Sequence, residues 1–217
     1  MRKGLPFILL LGRPGCGKSA VYKILTRKLQ EKGLADEFER IDDFPILKEL
    51  LDKDTECKRH VRKDGGFAVT DWTIIDEVLQ EINDRVFQKA ADHKVLFIEF
   101  ARANYKEALA NFTKKFLDHS AVLYIKASFE LCLARNEERF KAAQEKNLDD
   151  HIVPPDLMRT YYKDDDIETL LDARGEQYLT ETWPMRFFIL DNNVQGIDIL
   201  NIHLNRFVTF YQSIIKK

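Results

Sequence analysis

The stretch from Gly12 to Ser19, GRPGCGKS, has the residue types and the spacing of a loop that binds phosphate groups. Gly12, Gly17, Lys18 and Ser19 occupy the fixed places of the pattern GxxxxGK(S/T). Glycines let backbone N–H groups converge on an anion, and Lys18 would reach the β- and γ-phosphates of a nucleotide. The Ser19 hydroxyl would be a ligand of Mg²⁺. This stretch, called the phosphate loop below, predicts a nucleotide site.

The setting of the phosphate loop favours a site over a glycine-rich turn that binds nothing. An apolar run, Phe7 to Leu11, directly precedes it, and a helical pattern follows from Lys18 onward. The start of that helix would add the positive end of its dipole. The residues expected to contact the nucleotide are Gly12, Arg13, Pro14, Gly15, Cys16, Gly17, Lys18, Ser19 and Ala20.

Two aspartates close the second expected strand in the stretch RIDDF, residues 40–44. A carboxylate there would lie over the same sheet edge as the phosphate loop. It would accept the proton of an attacking hydroxyl, or hold Mg²⁺ through water. The alternative is that Asp42 and Asp43 only cap the helix that starts near Pro45. Asp43 is the better candidate because Phe44 and Pro45 follow it directly.

The third expected strand ends in a charged pair, Glu99 and Arg102 of VLFIEFAR. An isolated carboxylate at the end of a buried strand is costly unless a partner satisfies it. A substrate hydroxyl, the water shell of Mg²⁺ or Arg102 would each serve. Glu99 and Arg102 are therefore candidates for substrate binding, with a purely structural Glu99–Arg102 pair as the alternative.

Two arginines, Arg135 and Arg139, lie four residues apart in the stretch ARNEERF and would share one helix face. Such cations could neutralise charge on a transferring phosphoryl group. The alternative is a solvated face on which Glu137 and Glu138 pair with them. Together with Lys18 and Asp43, the two arginines form the candidate catalytic set.

The stretch 54–72 breaks the regular pattern and ends in a glycine hinge, GGFAVTD, that closes on Asp71. Asp71 is a further candidate for substrate binding. Arg59, His60, Arg62 and Lys63 just before the hinge would meet an anionic substrate, or would be an ordinary charged surface loop.

Apolar runs alternate with helical stretches along the rest of the chain, which is typical of an α/β fold with a mostly parallel sheet. The expected strands cover 6–11, 38–42, 94–99, 121–126 and 186–190. The expected helices cover 18–32, 45–53, 73–91, 104–117, 129–145, 156–162, 165–173 and 195–215. The segments 54–72 and 140–165 fit neither pattern, and both would lie where a ligand face can be covered.

Composition excludes several classes of protein. The 217 residues suit one α/β domain, and a net charge of −2 offers no general nucleic-acid signature. Three cysteines without paired spacing argue against a disulfide framework or a zinc site, so we expect a cytoplasmic protein. The first apolar run is too short for a signal peptide or a membrane span.

The motifs GRPGCGKS, RIDDF, IEFAR, ARNEERF and HIVPPDLM occur in an order that resembles the P-loop kinases of the adenylate-kinase-like group. That group includes nucleoside and nucleotide kinases, shikimate and gluconate kinases, and zeta-toxin or polynucleotide-kinase-like proteins. The resemblance implies a three-layer αβα sandwich with a five-stranded parallel sheet in the order 2-3-1-4-5. It also implies a substrate-binding insertion near 54–72, a lid near 140–165 carrying Arg135 and Arg139 at its root, and one domain over 1–217.

What the resemblance implies for activity is an ATP- and Mg²⁺-dependent kinase, with Asp43 as a base or substrate-binding carboxylate. The acceptor would be a small molecule with a hydroxyl or phosphate group, and nucleosides and nucleotides are candidates. The chain departs from adenylate kinase because EFAR replaces an aspartate-glycine-phenylalanine-proline-arginine run and the lid carries no four-cysteine zinc pattern. The alternative function is a nucleotide-switched ATP-binding protein or NTPase that engages a partner. The sequence leaves the oligomeric state open.

Overall fold

A computed structural model describes residues 6–63, 66–146, 153–171, 185–193 and 196–215. Within these residues the strands are β1 (Phe7–Leu11), β2 (Glu37–Asp42), β3 (His60–Lys63), β4 (Gly66–Val69), β5 (Lys94–Phe100), β6 (Ser120–Lys126) and β7 (Arg186–Asp191). The helices are α1 (Lys18–Glu31), α2 (Asp43–Lys53), α3 (Thr73–Lys89), α4 (Tyr105–Ala110), α5 (Lys114–Asp118), α6 (Phe129–Lys146), α7 (Pro155–Thr160) and α8 (Ile197–Ile215). A 3₁₀ turn covers Ile167–Leu170.

Five of the strands form one parallel sheet in the order β2-β5-β1-β6-β7. Counted among these five strands alone, the order is 2-3-1-4-5, which confirms the expected topology. The numbering along the whole chain differs because β3 and β4 form a separate antiparallel hairpin between β2 and α3. That hairpin lies in the expected insertion, 54–72.

Alternate side chains of β1 enter two different apolar layers, as the period of a strand requires. Phe7, Leu9 and Leu11 pack with residues of α2, α3, α4 and α5 on one face of the sheet. Ile8 and Leu10 pack with residues of α1, α6, α7 and α8 on the other face. The sheet is therefore buried on both sides between helical layers, which confirms the αβα sandwich.

The register of the sheet brings the candidate site residues to one edge. Leu10 and Asp42 both lie opposite Glu99, on either side of β5. The phosphate loop follows β1 directly, so it leaves the sheet at the carboxyl ends of β2 and β5. Ligands of open parallel sheets bind at this edge.

The expected lid segment 140–165 is partly described. α6 runs through Lys146, and α7 begins at Pro155; residues 147–152 lie outside the described part of the chain. Met158 of α7 is fully buried in the apolar layer that contains α1 and α8. Among the described residues, no helix combines the length and the apolar character needed to cross a membrane.

Candidate active site

The phosphate loop is held so tightly that two of its glycines have no room for a side chain. Gly12 has a φ of 138°, and a Cβ there would lie 2.6 Å from the carbonyl oxygen of Ile125. Gly15 has a φ of 82°, and a Cβ there would lie 2.3 Å from the carbonyl oxygen of Cys132. Both positions combine a left-handed backbone with close packing, and only glycine meets both demands. The loop spacing therefore reflects backbone geometry as well as ligand chemistry.

The start of α1 is prepared for an anion. Its N-cap is Gly17, which offers no side-chain cap, and the first turn carries no acidic residue. The first N–H groups of a helix have no partner within the helix, and together with the helix dipole they attract negative charge. Lys18 folds back over the loop, where its Nζ donates to the carbonyl oxygens of Gly12 at 2.8 Å and Arg13 at 3.2 Å. A phosphate group bound in the loop would meet this ammonium group.

Three side chains from distant elements brace the backbone of the phosphate loop. The Tyr105 hydroxyl accepts the N–H of Gly12 at 3.1 Å. Asn192 donates to the carbonyl oxygen of Cys16 at 2.7 Å, and Arg135 donates to that of Gly15 at 3.4 Å. Sequence reasoning had assigned no role to Tyr105 or Asn192, which follow β5 and β7 respectively.

The side chain of Arg13 connects the phosphate loop to the segment that follows α7. Its guanidinium donates to the carbonyl oxygens of Tyr162 at 2.9 Å and Ala127 at 3.3 Å, and pairs with Asp165 at 3.0 Å. Tyr124 donates to the same carboxylate at 2.7 Å. The side chain of Arg13 therefore braces the phosphate loop. The predicted contact of this residue with a nucleotide would be made by its backbone.

The two aspartates of RIDDF have separate roles. Asp42 is the N-cap of α2 and accepts the backbone N–H of Phe44 at 3.0 Å. Asp43 is the first residue of α2, and its Oδ2 accepts a hydrogen bond from Nη1 of Arg102 at 2.7 Å. The capping alternative therefore applies to Asp42. The carboxylate of Asp43 therefore contacts a residue that follows the end of β5.

Glu99 does not pair with Arg102, so that structural alternative is wrong. Oε2 of Glu99 lies 3.4 Å from Nη1 of Arg40, which is an ion-pair distance, but the buried oxygen has no hydrogen-bond partner among the described residues. The same Arg40 nitrogen lies 3.4 Å from the Ser19 hydroxyl. Burial raises the pKa of Glu99, and Lys18 and Arg40 only partly offset this.

The region between Ser19 and Glu99 suits a Mg²⁺ ion bound to a nucleotide. A hydroxyl oxygen and an unsatisfied buried carboxylate oxygen are oxygen ligands of the kind that Mg²⁺ takes, directly or through water. The guanidinium of Arg40 now lies between the two groups. Among the described residues no group of three or more His, Cys, Asp or Glu side chains converges for a metal.

Arg102 is buried beside Asp43 and in contact with an aromatic cluster. Its side chain is 8% exposed, and its guanidinium carbon lies 5.6 Å from the centroid of the Phe100 ring. Burial lowers the pKa of Arg102, but its neighbours, of which the Asp43 carboxylate has the largest effect, together more than offset this, so the pKa is raised overall. Tyr161 and Tyr162 also act on that pKa, which places them near the guanidinium. Tyr161 in turn stacks on Trp72, at 5.0 Å between the ring centroids.

Asp71 and the basic residues before the glycine hinge have local structural partners. Asp71 accepts the N–H of Thr73 at 3.0 Å at the start of α3, and lies 3.3 Å from Arg59. Arg59 also pairs with Glu77 at 2.8 Å, and the buried His60 contacts Asp54 at 3.2 Å. These contacts do not bring Asp71 to the Asp43–Arg102 pair. The side chains of Arg62 and Lys63 lie outside the described part of the structure.

Arg135 and Arg139 occupy different environments. Arg135 is half-buried against the phosphate loop, whereas Arg139 is exposed one turn later on α6. Glu137 does not pair with either of them, because it pairs with Arg159 of α7 at 2.6 Å.

A pocket of about 300 Å³ lies beside the phosphate loop. It is lined by Gly17, Ala20, Arg135, Asn192, Gly196, Ile197 and Leu200. The sequence did not predict Asn192, Gly196, Ile197 and Leu200 as site residues. The stretch after β7 offers only asparagine and glycine as residue types that suggest a binding loop.

Solved structures of the same fold include P-loop kinases. The chain matches APE1195 at 16% identity, over 99% of this chain and 98% of that chain, with a TM-score of 0.57. It matches the APS kinase CysC of Mycobacterium tuberculosis, in complex with AMPPNP and APS, at 14% identity over 98% and 99%, with a TM-score of 0.54. It matches the shikimate kinase of Acinetobacter baumannii, in complex with shikimate, at 16% identity over 97% and 95%, with a TM-score of 0.50. No protein-family model matches the chain, and no curated protein matches it in sequence. The chain has the P-loop kinase fold.

Proposed function

We propose that the protein is a kinase that transfers the γ-phosphoryl group of ATP to a small acceptor bound beside Asp43 and Arg102. The observation that carries this proposal is the position of the phosphate loop between two different sites. A pocket lined by Arg135 and Asn192 lies on one side of it. Toward β2 and β5, Nη1 of Arg40 lies 3.4 Å from both the Ser19 hydroxyl and Oε2 of Glu99, and Glu99 lies opposite Asp42 in the sheet.

The pocket beside the loop supports binding of the nucleotide base. Its lining combines apolar side chains, Ile197 and Leu200, with the polar groups of Arg135 and Asn192. That mixture is typical of small-molecule sites, in which apolar walls provide affinity and a few polar groups set orientation. The guanidinium plane of Arg135 would also stack on an aromatic ring. A base in this pocket would leave its phosphates at the start of α1.

On the acceptor side, Asp43 is the candidate base. Its Oδ2 is held by Arg102, which leaves Oδ1 to accept the proton of a hydroxyl as that oxygen attacks the γ-phosphorus. Lys18 would stabilise the charge that develops on the phosphoryl oxygens, and Arg139 would add a second cation if a movement of α6 brought it to the phosphates. Bound Mg²⁺, held at Ser19 and through water at Glu99, would neutralise charge on the phosphates. Catalysis would consist mostly of positioning and charge neutralisation.

A nucleotide-switched binding protein is the second candidate. The contacts of Arg13 with Tyr162 and Asp165 connect the phosphate loop to the segment after α7. Nucleotide binding could therefore reorder that segment for a partner without any transfer to an acceptor. Such a protein would hydrolyse ATP slowly or not at all, and acceptors would not change that rate.

The test is a coupled assay of ADP release with ATP, Mg²⁺ and a panel of nucleosides, nucleotides, sugars and small hydroxy acids. A kinase will show acceptor-dependent release, and Lys18→Ala should lower kcat/KM by on the order of a hundredfold or more, because it removes a cation at the transferring group. Lys28→Ala is the matched control, since Lys28 lies in the last turn of the same helix and its Nζ donates to Asn205 at 2.8 Å. Acceptor-independent ADP release would favour the switch.

A further inference from the structure

We propose that Arg40 is a stand-in cation of the nucleotide site. Its guanidinium takes the place of Mg²⁺ beside a nucleotide that binds without metal, and it leaves that place when the nucleotide binds with metal. This inference rests on the nucleotide site of the proposed function, but on neither the acceptor nor the transfer step. It is carried by the position of Arg40 between Ser19 and Glu99 and by the long contacts that hold it there.

The guanidinium of Arg40 lies between the two oxygen groups that suit a metal. Its Nη1 is 3.4 Å from the Ser19 hydroxyl and 3.4 Å from Oε2 of Glu99. That carboxylate oxygen is buried and has no hydrogen-bond partner among the described residues. A buried ionised carboxylate is costly unless a cation lies close to it. In the absence of metal, Arg40 is therefore a cation that stabilises the ionised form of Glu99.

The register of the sheet brings Arg40 to this place. Arg40 lies opposite Phe97, and Asp42 lies opposite Glu99, on the neighbouring strands β2 and β5. Residues two apart on a strand share a face of the sheet, so all four side chains lie on one face. Phe97 belongs to the apolar layer that contains α1, and Ser19 lies in the first turn of that helix. An arginine at this position of β2 therefore reaches the phosphate loop.

The contacts of Arg40 are long enough to be exchanged for others. A charge-assisted hydrogen bond between a guanidinium and a carboxylate is usually about 2.7–2.9 Å long. Arg102 makes such a bond to Asp43, at 2.7 Å. Arg40 remains 3.4 Å from Glu99, and its side chain is 36% exposed. A rotation of the Arg40 side chain therefore breaks no short hydrogen bond.

A second position for the guanidinium lies next to the first. Nη2 of Arg40 is 3.7 Å from Oδ2 of Asp42, and the guanidinium carbon is 5.9 Å from the centroid of the Tyr22 ring. That ring packs perpendicular to Phe97, at 5.0 Å between the centroids, so it is held in place. A cation over an aromatic ring is favourable. Arg40 would move across this ring toward Asp42, because two cations repel each other at the place between Ser19 and Glu99.

The first experiment measures nucleotide affinity with and without metal. AMPPNP is titrated by calorimetry into the wild type, Arg40→Gln and Arg40→Lys, once in Mg²⁺ and once in EDTA. In EDTA, Arg40→Gln should raise the Kd by about tenfold or more, because the phosphates lose charge-assisted hydrogen bonds to the guanidinium. In Mg²⁺ the Kd should change by less than about threefold, because Arg40 then contributes only an exposed ion pair with Asp42. Arg40→Lys keeps a cation and should retain part of the affinity in EDTA.

Arg85→Gln is the matched control for this comparison. Arg85 is exposed to a similar degree, but it pairs with Glu81 at 2.7 Å and Glu49 at 2.9 Å, so neither Kd should change. If Arg40→Gln weakens binding equally in Mg²⁺ and in EDTA, Arg40 is a permanent phosphate contact and the stand-in role is overturned. Unchanged affinity in both conditions would overturn it as well, and in both cases the proposed kinase stands. A wild-type protein that binds AMPPNP in neither condition would overturn this proposal and the proposed function together.

The second experiment needs only the wild-type protein, so it decides even if the Arg40 variants fail to fold. Crystal structures are determined with AMPPNP in EDTA and with AMPPNP and Mn²⁺, whose anomalous signal locates the metal. In EDTA, the guanidinium of Arg40 should lie between Glu99 and the phosphates. With Mn²⁺, the metal should lie at that place and Arg40 should lie against Asp42 and Tyr22. Arg40 in the same position in both structures would overturn the proposal.

Discussion

The hydroxyl of Tyr105 accepts a hydrogen bond from the backbone N–H of Gly12, 93 residues earlier in the chain. Tyr105 begins α4, and its own N–H donates to Asp166 at 2.6 Å. Asp165, the neighbouring residue, pairs with Arg13. The phosphate loop is therefore tied to the segment after α7 by two routes, one through each of these aspartates.

Replacing Tyr105 with phenylalanine should therefore affect the nucleotide as well as the fold. The variant leaves the buried N–H of Gly12 without an acceptor, which should lower the free energy of unfolding by about 1–3 kcal/mol. It should also weaken AMPPNP binding measured by calorimetry, because the loop backbone loses a brace. Tyr211→Phe is the control, since it alters a buried tyrosine of α8 far along that helix from the pocket. An unchanged nucleotide affinity in Tyr105→Phe would contradict the bracing role.

The two aspartates of RIDDF should separate stability from catalysis. Asp42→Ala removes the N-cap of α2 and should cost about 1 kcal/mol in the free energy of unfolding, with kcat largely retained. Asp43→Asn keeps the shape of the side chain but removes the base, so kcat should fall strongly while AMPPNP affinity stays nearly unchanged. Denaturant unfolding and steady-state kinetics on both variants provide the comparison. A normal kcat in a folded Asp43→Asn protein would remove Asp43 from the mechanism.

The buried Glu99 should make the free energy of unfolding fall as pH rises. Its pKa is raised in the folded state, chiefly by burial, so the folded protein favours the protonated carboxyl more than the unfolded chain does. Ionisation of Glu99 therefore costs stability as pH rises above the ordinary range of a glutamate, and no such cost exists well below that range. Glu99→Gln should raise the free energy of unfolding at pH 7 and change it little at pH 4.

The same substitution tests the Mg²⁺ site. If Glu99 holds Mg²⁺ through water, Glu99→Gln should raise the Mg²⁺ concentration needed for half-maximal turnover, despite the gain in stability. Glu39→Gln is a suitable control, because Glu39 is a partly exposed carboxylate on β2 that pairs with Lys94 at 3.0 Å. A stabilised variant with unchanged Mg²⁺ dependence would point to acceptor binding as the role of Glu99.

Most of the sheet could be predicted from sequence because its strands are continuous apolar runs that end in turn residues. One helix prediction, 104–117, was wrong in its continuity. The chain forms two helices instead, because Thr113 is the N-cap of α5 and accepts the N–H of Phe116 at 3.3 Å. Asn83 of α3 also accepts the N–H of Thr113 at 2.9 Å. The capping threonine was visible in the sequence, but the partner that makes it effective comes from another helix.

The phosphate loop could be predicted because its residues form one continuous motif. The ion pairs at the ends of β2 and β5 could not, because their partners come from two strands. A Glu99–Arg102 pair was considered because the two residues are close in sequence. Residues three apart near the end of a strand point to opposite faces, so they are poor partners for each other. The register of β2 on β5 determines the actual pairs, Arg102 with Asp43 and Glu99 with Arg40, and no single stretch of sequence encodes that register.

The segment 140–165 should respond to ligands at its end and remain fixed at its anchor. Met158 is buried, Asn136 of α6 donates to the carbonyl oxygen of Val153 at 2.6 Å, and Arg159 pairs with Glu137. These contacts hold α7 on α6, so its amides should already exchange slowly without ligand. The next residues, 161–166, are held by Arg13, by the Trp72–Tyr161 stack, and by the hydrogen bonds of Asp165 with Tyr124 and of Asp166 with Tyr105.

We therefore expect amide exchange in residues 161–166 to slow when AMPPNP, Mg²⁺ and an acceptor found in the turnover assay are present together, and less with the nucleotide alone. Ligand in both sites would draw the segment over the phosphate loop, and closure of this kind excludes water from a phosphoryl transfer. Peptides from β6, 120–126, are the internal reference, since that strand is buried within the sheet. Asp165→Asn should reduce this slowing of exchange, because it removes the ion pair that connects Arg13 of the phosphate loop to the segment. Full protection of 161–166 in the free protein, unchanged by any ligand, would show that the segment is a permanent part of the core and that the acceptor enters by another path.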